Sequence, residues 1–475
     1  MEKTNFILGG VKLKKVLSAV LAGAMVLSLA ACSSKTNSSS KSTSSGSSTG
    51  TSSEAKALTF DNLSLGTDYT GIKANLVFHT HRTDIVNTTF KQYIADFQKL
   101  YPNINIKYEA DTNYSDAMTT RLTTSNWGDI CMIPTSVQKS QLSSHFITFG
   151  DLSTLQNTYQ FLNNFAYQGQ VYGIPSTNNV QGVLYNKAVF TKAGITSTPK
   201  TPDEFIGDLK LIKQKTSAIP LYTNFAAGWT MGAWDAYIGG SATGSADAMN
   251  NLPHAKNPFA KPSDGTETGP YYVYKVLYDA VSQKLTEADP TTTDWESSKA
   301  KFNNGEIATM VLGSWAIVQM QSAGSHADDV GYMPFPITVG GKQYASAGPD
   351  YCYGINKNAS KGNQIAAMLY IKWLVDKSNF DTDQGGLPVN KTHSLPKTLN
   401  AFSDTTFVVD NPAPAGEEDL FSNVNKASGI SLNADNTHVQ TIVQDALQGK
   451  PSFDSILDGW NQKWTAAEKQ YNSLK

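Results

Sequence analysis

The chain has 475 residues, enough for one large or two medium domains with hydrophobic cores. Its 38 Lys and Arg against 40 Asp and Glu leave a formal charge of −2, so it lacks the basic surplus typical of nucleic-acid-binding surfaces. Three cysteines are too few for a disulfide scaffold, and Cys131 and Cys352 are predicted to be buried thiols, with a disulfide between them as the alternative. Composition therefore predicts a globular protein with no nucleic acid partner.

The first 31 residues have the organisation of a secretory signal peptide, with four lysines before residue 16 and an apolar run at residues 16–29. At 1.5 Å per residue the run spans about 21 Å of helix, less than the roughly 30 Å of a bilayer core, which disfavours a transmembrane anchor. The run ends in Leu29-Ala30-Ala31-Cys32, which resembles the lipobox of bacterial lipoproteins. That resemblance implies a diacylated Cys32; ordinary signal cleavage near Ala31 is the alternative.

A serine-rich segment at residues 33–53 follows Cys32. It has no large apolar side chain to offset the entropy of ordering, so residues 32–53 are predicted to be a lipidated cysteine and a disordered tether. This arrangement predicts a body anchored by lipid on the extracellular face of the cell membrane, as in a Gram-positive bacterium.

Beyond the tether, strands and helices alternate. Residues 76–78, 104–108 and 129–133 predict strands, and residues 90–100 predict a helix. The motif Thr201-Pro202-Asp203-Glu204 combines a capping box with proline at the first helical position, which predicts a helix start. Near the C-terminus, apolar stripes at residues 439–447 and 453–464 predict helices, with Trp460 and Trp464 in the core. The alternation predicts an α/β fold of mostly parallel sheets flanked by helices.

Catalytic motifs are absent or weak. No P-loop, GxGxxG, GxSxG or HExxH motif occurs, and Ser136 with Lys139 fits only the short SxxK pattern. His79 and His81 are two residues apart on a predicted strand and point to one face, as paired metal ligands can. No third ligand is assignable from the sequence, so hydrogen-bonding or packing roles are favoured. We therefore predict that the protein is not an enzyme and has no cofactor and no metal.

Several motifs together carry a resemblance to a known family. They are Tyr172-Gly173-Ile174-Pro175, residues 182–187, residues 201–205, residues 302–310, Gly313-Ser314-Trp315 and residues 386–389. In order and spacing they resemble the extracellular solute-binding proteins of carbohydrate ABC transporters, the maltose-binding-protein-like family 1. The resemblance runs from about residue 76 to residue 464. It implies a two-lobed periplasmic-binding-protein-like clamp, with the ligand cleft between lobe 1 (residues 54–178 plus 336–385) and lobe 2 (residues 179–335 plus 386–475).

The resemblance also implies a function. The protein would be a monomer that captures a sugar or oligosaccharide between two hinged lobes and delivers it to the permease subunits of an ABC importer. Sugars have apolar ring faces and hydroxyl rims, so aromatic platforms and planar polar side chains are expected in the site. By their position relative to the motifs, the ligand-binding candidates are Arg82, Thr83, Asp84, Thr135, Ser136, Asn179, Trp229, Trp315 and Asp350, and Trp315 is expected to stack on a sugar ring.

Some maltose-binding relatives carry an acidic residue where this chain has Asn179, and charged groups where it has Thr135 and Ser136, so their sugar specificity does not transfer. Two other classes stay open. A secreted lipoprotein glycoside hydrolase would need a carboxylate pair with perturbed pKa values in the cleft. A binding lipoprotein for a metal or another non-sugar solute would need His79, His81 and a carboxylate to converge.

Overall fold

The structure is a computed structural model that describes residues 58–472. The predicted signal peptide, Cys32 and almost all of the chain before the body lie outside the described residues. Among residues 58–472, none of the helices combines the length and the apolar character that a membrane span requires.

The strands of the described residues are mostly short. In chain order they are β1 (Ala74–Thr80), β2 (Ile104–Ala110), β3 (Ile130–Ile133), β4 (Gly150–Asp151), β5 (Ala166–Tyr167), β6 (Gln170–Val171), β7 (Ile174–Pro175), β8 (Asn178–Asn186), β9 (Ile219–Leu221), β10 (Ile307–Gly313), β11 (Val330–Pro334), β12 (Thr338–Val339), β13 (Lys342–Pro349), β14 (Cys352–Ile355) and β15 (Thr406–Val408).

Helices fill most of the connections between strands. They are α1 (Thr89–Gln98), α2 (Tyr114–Arg121), α3 (Leu142–His145), α4 (Leu152–Leu155), α5 (Lys187–Ala193), α6 (Pro202–Lys215), α7 (Trp229–Gly232), α8 (Gly240–Thr243), α9 (Ala248–Asn251), α10 (Gly269–Ser282), α11 (Trp295–Asn303), α12 (Trp315–Gln321), α13 (Lys361–Asp376), α14 (Phe380–Asp383), α15 (Leu420–Ser428), α16 (Thr437–Gln448) and α17 (Phe453–Asn472). Short 3₁₀ segments lie at Lys139–Gln141, Leu162–Phe165, Phe225–Ala227, Ala233–Tyr237, Leu252–His254, Pro290–Thr292, Ala327–Asp329 and Lys397–Phe402.

Lobe 1 is built on a five-stranded sheet with strand order β2-β1-β3-β14-β7. Strand β1 pairs in parallel with β2 and β3, whereas β14 is antiparallel to β3 and β7. Phe78, on β1, is fully buried, and its ring lies 4.6 Å from Tyr108 and 5.8 Å from Tyr353. The predictions of strands at residues 76–78, 104–108 and 129–133 and of a helix at residues 90–100 are confirmed.

Lobe 2 is built on a seven-stranded sheet with the order β12-β13-β8-β10-β9, to which β11 adds on β8 and β15 on β13. Strand β8 is antiparallel to β10, β11 and β13, while the pairs β9–β10 and β13–β15 are parallel. Because β8 leads out of lobe 1 and β13 leads back towards it, these two strands run in opposite directions. The sheet of lobe 2 is therefore mixed, and the expectation of a mostly parallel sheet is wrong there.

Three segments cross between the two sheets. Strand β7 leads into β8 at residues 175–178, β13 leads into β14 at residues 349–352, and residues 385–390 run beside them, with Leu387 bridged to Asn178. The Asn178 amide also donates to the carbonyl oxygens of Leu387 and Pro388, both at 3.2 Å. The predicted boundaries put residues 336–349 in lobe 1, yet β13 pairs with β8 in the sheet of lobe 2. We therefore place the second crossing at residues 349–352.

Two helix ends have caps typical of their residue types. At the start of α6, Thr201 Oγ1 accepts a hydrogen bond of 3.2 Å from the Glu204 backbone N–H, as the capping-box pattern predicts. Gly449 follows the last residue of α16, and its φ of 71° places it in the left-handed region that glycine adopts without strain.

The predicted core residues of the C-terminal helix and the predicted thiols are also confirmed. Trp460 and Trp464, on α17, are 6% and 0% exposed, and the Trp464 indole N–H donates to the Leu252 carbonyl oxygen. Cys131 and Cys352 are buried and unpaired. Both cysteines belong to the sheet of lobe 1.

Candidate ligand-binding site

The loop after β1 carries three of the predicted site residues. Arg82 donates Nε and Nη2 to the two oxygens of Asp84 at 2.8 and 2.7 Å, and Nη2 also donates to Gln384 Oε1 at 2.6 Å. Thr83 lies between them and is exposed. A two-pronged ion pair of this kind holds a guanidinium in one orientation. Arg82 and Asp84 therefore form a fixed polar group at the carboxyl edge of the lobe 1 sheet.

The charge state of Asp84 depends on its neighbours. Burial alone raises the pKa of Asp84, but hydrogen bonds and charge attraction from Arg82 outweigh burial and hold this pKa below its usual value. Lys299, on α11 of lobe 2, acts in the same direction. Asp84 is therefore ionised at neutral pH, mainly because of Arg82, with a smaller contribution from a lysine of lobe 2.

Thr135 and Ser136 follow β3 at the same sheet edge, because β1 and β3 are parallel. Both are exposed, and Ser136 Oγ lies 2.8 Å from Thr119 Oγ1. Lys139, the other residue of the SxxK pattern, donates instead to the Asn163 carbonyl oxygen at 3.1 Å. The two residues of that pattern thus have different partners, which gives no support to nucleophilic chemistry there.

Three tryptophans form one cluster on lobe 2, here called the tryptophan cluster: Trp229, Trp295 and Trp315. Their ring centroids are 5.2, 5.5 and 5.6 Å apart, and their planes cross at 52° to 79°. The side chain of Trp229 is 43% exposed, while Trp295 and Trp315 are half-buried. The structure brings together two predicted residues, Trp229 and Trp315, and adds Trp295, which lies outside the predicted site residues.

Backbone contacts fix Trp315 at the start of α12. The preceding residue, Ser314, donates its backbone N–H to the Val180 carbonyl oxygen, and its Oγ accepts from the Val180 N–H at 3.1 Å. A Cβ on Gly313 would lie 2.8 Å from Cδ1 and Nε1 of Trp315. Glycine at this position therefore lets the indole lie close to the end of β10.

Trp295 opens α11, which Asp294 caps by accepting a 2.7 Å hydrogen bond from the Ser297 N–H. Lys299, one turn later, places its ammonium 5.0 Å from the centroid of a Trp295 ring. The sequence carries a signal for Trp295 as a site residue. This tryptophan directly follows an N-cap aspartate, has polar neighbours, and lies at the start of the helix that leads into the motif at residues 302–310.

A second polar group lies where β8 and the crossing at residues 349–352 meet the loop after β1. The Asn179 amide donates to Asp350 Oδ1 at 3.2 Å, and His81 Nε2 is 3.7 Å from Asp350 Oδ2. The His81 ring stacks on Tyr351 with centroids 4.4 Å apart. The structure thus joins two predicted residues, Asn179 and Asp350, and adds His81.

The two histidines of the metal-binding alternative have different neighbours. His79 Nδ1 is 3.6 Å from Glu109, beside a cavity of about 340 Å³ between β2 and α2, whereas His81 faces Asp350. No set of three or more His, Cys, Asp or Glu side chains within residues 58–472 is arranged to hold a metal ion. The convergence that this alternative requires is not observed.

A mixed α/β body with crossing segments, an aromatic group on one lobe and polar groups at the other defines a clamp-type binding protein. The profile of the family "Bacterial extracellular solute-binding protein" matches residues 83–379, more than half of the chain. The chain therefore belongs to that family. Its fold is the two-lobed α/β clamp that the sequence predicted, and the family and its structural neighbours are binding proteins.

Two solved structures that resemble the chain are of proteins from Bifidobacterium animalis subsp. lactis. One is BlMnBP1, an ABC-transporter binding protein in complex with mannobiose: it is 49% identical, with 87% of this chain and 99% of that chain covered and a TM-score of 0.85. Another is BlMnBP2, a manno-oligosaccharide-specific solute-binding protein in complex with mannotriose, 47% identical with the same coverage and TM-score. Among curated proteins, a multiple sugar-binding protein of Streptococcus mutans is 25% identical over 71% of this chain and 82% of its own length.

Proposed function

We propose that this protein captures a manno-oligosaccharide in the cleft between its lobes and presents it to the permease of an ABC importer. The observation that carries the proposal is the 49% identity over 87% of the chain to a protein solved with mannobiose. The chemistry of the cleft supports it: the tryptophan cluster offers apolar faces to pyranose rings, and Arg82, Asp84, Asn179 and Asp350 offer donors and acceptors to hydroxyls.

A thermal-shift and calorimetry panel tests the proposal. The panel contains mannobiose, mannotriose, maltose, cellobiose and raffinose. A ligand at 100 times its Kd adds about 2.7 kcal/mol to the free energy of unfolding, so mannobiose or mannotriose is expected to raise Tm more than the other sugars at equal concentration. A larger shift with maltose, cellobiose or raffinose would contradict the assignment of the sugar.

We further propose that the protein binds its sugar without cleaving it and acts as a monomer. Of the cleft carboxyls, Asp84 has a pKa below its usual value, whereas a general acid for glycoside hydrolysis needs a raised one. Purified protein incubated at length with mannotriose is expected to yield no smaller sugar on chromatography. Appearance of mannose or mannobiose would contradict binding without cleavage. Light scattering after size exclusion tests the oligomeric state, and the mass of a dimer would contradict the monomer.

The lipid anchor at Cys32 is also a proposal. It is supported by the lipobox-like segment of residues 29–32 after the apolar run, and two acyl chains would give stable membrane attachment where one gives only marginal binding. The Cys32→Ala variant, expressed in a Gram-positive host, is expected to appear in the medium, while wild-type protein stays with the membrane fraction. Equal membrane association of both proteins would exclude lipidation at this cysteine.

A further inference from the structure

The imidazole of His81 has unmet hydrogen-bonding capacity. Its Nδ1 is buried and has no hydrogen-bond partner, and its Nε2 is 3.7 Å from Asp350 Oδ2, which is beyond hydrogen-bond distance. Stacking on Tyr351 at an interplanar angle of 30° fixes the ring plane. A buried polar atom left without a partner is costly, and in a binding cleft a hydroxyl of the ligand is a group that can pair with it.

Asn179, beside it, has a second unpartnered atom. This residue is 6% exposed; its Nδ2 donates to Asp350 Oδ1, and its Oδ1 is buried and has no partner. Asp350 lies between the two side chains: its Oδ1 accepts the hydrogen bond from Asn179, and its Oδ2 is the oxygen nearest to His81, at 3.7 Å. The three residues come from three different places in the chain: the loop after β1, strand β8 and the crossing at residues 349–352.

The charge state of His81 defines which ligand group fits. Burial lowers the pKa of His81 to about 4, with Arg82 acting in the same direction and Asp350 and Asp84 opposing it. The ring is therefore neutral at pH 7, with one N–H donor and one nitrogen acceptor. Beside it stand an amide oxygen and a carboxylate, both acceptors. A sugar hydroxyl, which donates and accepts at once, satisfies this set, whereas an anion would meet the Asp350 carboxylate.

We propose that His81, Asn179 and Asp350 form a hydroxyl-reading subsite of the cleft, in which His81 contacts the ligand directly. The proposal deepens the proposed function and rests on its premise that the ligand is a sugar. Because Asp350 lies on a crossing segment and Asn179 next to one, a hydroxyl bound here contacts side chains carried by the segments that join the lobes. Occupancy of the subsite is thereby linked to the relative position of the lobes.

The test separates hydrogen bonding from packing. His81→Phe keeps an aromatic ring for Tyr351 and removes both nitrogens, while His81→Asn restores an amide at the place of Nδ1. With mannobiose as the titrant in calorimetry, we expect His81→Phe to weaken binding about 10- to 100-fold and His81→Asn to recover part of the loss. The Tm of ligand-free His81→Phe should equal or exceed that of the wild type, since the variant removes an unsatisfied buried atom.

His79 supplies the matched control. It lies two residues earlier in the chain, on β1, and is 5% exposed, but its carboxylate neighbour is Glu109, at 3.6 Å. His79→Asn should leave the Kd for mannobiose within about twofold of the wild type. A His81→Phe Kd within twofold of wild type, or a weaker one with a lowered ligand-free Tm and no recovery in His81→Asn, would overturn the subsite.

A failure of the proposed sugar is distinguishable from a failure of the subsite. If wild-type protein does not bind mannobiose, the assignment of the ligand fails, and the same four proteins are titrated with whichever panel sugar raises the wild-type Tm most. The pattern expected of the variants is unchanged with that sugar, and its absence would again overturn the subsite.

Discussion

The two sides of the cleft are chemically opposite. On lobe 1 and the crossings, polar groups are held by hydrogen bonds. Arg82 donates two hydrogen bonds of 2.7 and 2.8 Å to Asp84, and the Asn179 amide donates one of 3.2 Å to Asp350. On lobe 2, the three rings of the tryptophan cluster pack within 5.2 to 5.6 Å of one another. The lobe 1 side thus has hydrogen-bonding groups held in fixed orientations, and the lobe 2 side has a large area of apolar aromatic ring.

In the proposed function, this difference between the two sides assigns affinity mainly to lobe 2 and selectivity mainly to the lobe 1 side. Stacking on an indole removes apolar area from water and tolerates small rotations of the sugar, so it supplies affinity without a strict orientation. Hydrogen bonds from fixed donors and acceptors are lost when a hydroxyl is misplaced. We therefore expect changes on lobe 2 to weaken binding of all accepted sugars and changes on the lobe 1 side to alter the choice among them.

The largest expected effect is that of Trp229→Ala. Trp229 is the most exposed ring of the cluster, so its removal should cost little stability but about 2–4 kcal/mol of binding, a roughly 30- to 1000-fold higher Kd for mannobiose. Calorimetry and the ligand-free Tm measure the two quantities. Leu447→Ala, a 50% exposed apolar residue on α16, is the control and should change neither. An unchanged Kd in Trp229→Ala would place the ligand away from the tryptophan cluster.

The Trp315→Ala variant also tests the tryptophan cluster of lobe 2. This ring is half-buried and packs on both of its neighbours in the cluster, so its loss should cost about 2–3 kcal/mol both in binding and in the free energy of unfolding. The Kd and a urea titration are to be compared with those of Trp229→Ala. Lost stability with an unchanged Kd would make Trp315 a core residue and remove it from the site.

The pH dependence of the free energy of unfolding tests the polar side of the cleft through His81. His81 has a folded-state pKa of about 4 against an ordinary value of 6.5, so the unfolded chain binds more protons between these values and stability falls as the pH drops through them. From pH 7 to pH 5 this one group costs about 2 kcal/mol, which His81→Phe should recover. Chemical unfolding at both pH values measures the difference. Equal pH sensitivity in wild type and variant would show that His81 is not held neutral by burial.

Gly313→Ala is expected to have the smallest effect. Its new Cβ would lie 2.8 Å from two atoms of Trp315, so the indole must shift, and we expect a loss of about 1 kcal/mol in binding, roughly a fivefold higher Kd. Gly459→Ala on α17, where a Cβ meets no atom within 4 Å, serves as the control. A Gly313→Ala Kd equal to that of the wild type would mean that the position of Trp315 is not critical.

Much of the fold was predictable because its signals are local. Strands β1 and β3 follow from apolar runs, β2 follows from alternating apolar and polar residues, and the start of α6 follows from a capping box at Thr201. The mixed sheet of lobe 2 and the membership of β13 were not predictable, since they depend on pairs such as Ala347 with Val180 that are far apart in the chain. Such pairings leave no periodic trace in a single sequence.

The site shows the same limit. The motifs indicate four residues of the site, which are Trp229, Trp315, Asn179 and Asp350. They do not predict that Trp229 contacts Trp315 or that Asn179 hydrogen-bonds to Asp350. The motifs do not single out Trp295. For His81 the sequence favours a hydrogen-bonding or packing role over metal binding but indicates no partner, because the partners of both residues come from other segments of the chain. Residue types predict which chemistry is available, and the tertiary contacts decide where it is assembled.

The distribution of thiols and indoles gives each lobe its own spectroscopic reporter. Cys131 and Cys352 are both in the lobe 1 sheet, and burial raises the pKa of each thiol, which makes them inert while that lobe is folded. Six of the eight tryptophans, in contrast, lie in lobe 2 (Trp229, Trp234, Trp295, Trp315, Trp460 and Trp464). Thiol labelling during denaturation therefore follows the unfolding of lobe 1 and fluorescence mainly that of lobe 2, so the order in which the halves of the clamp melt is measurable in the unmodified body.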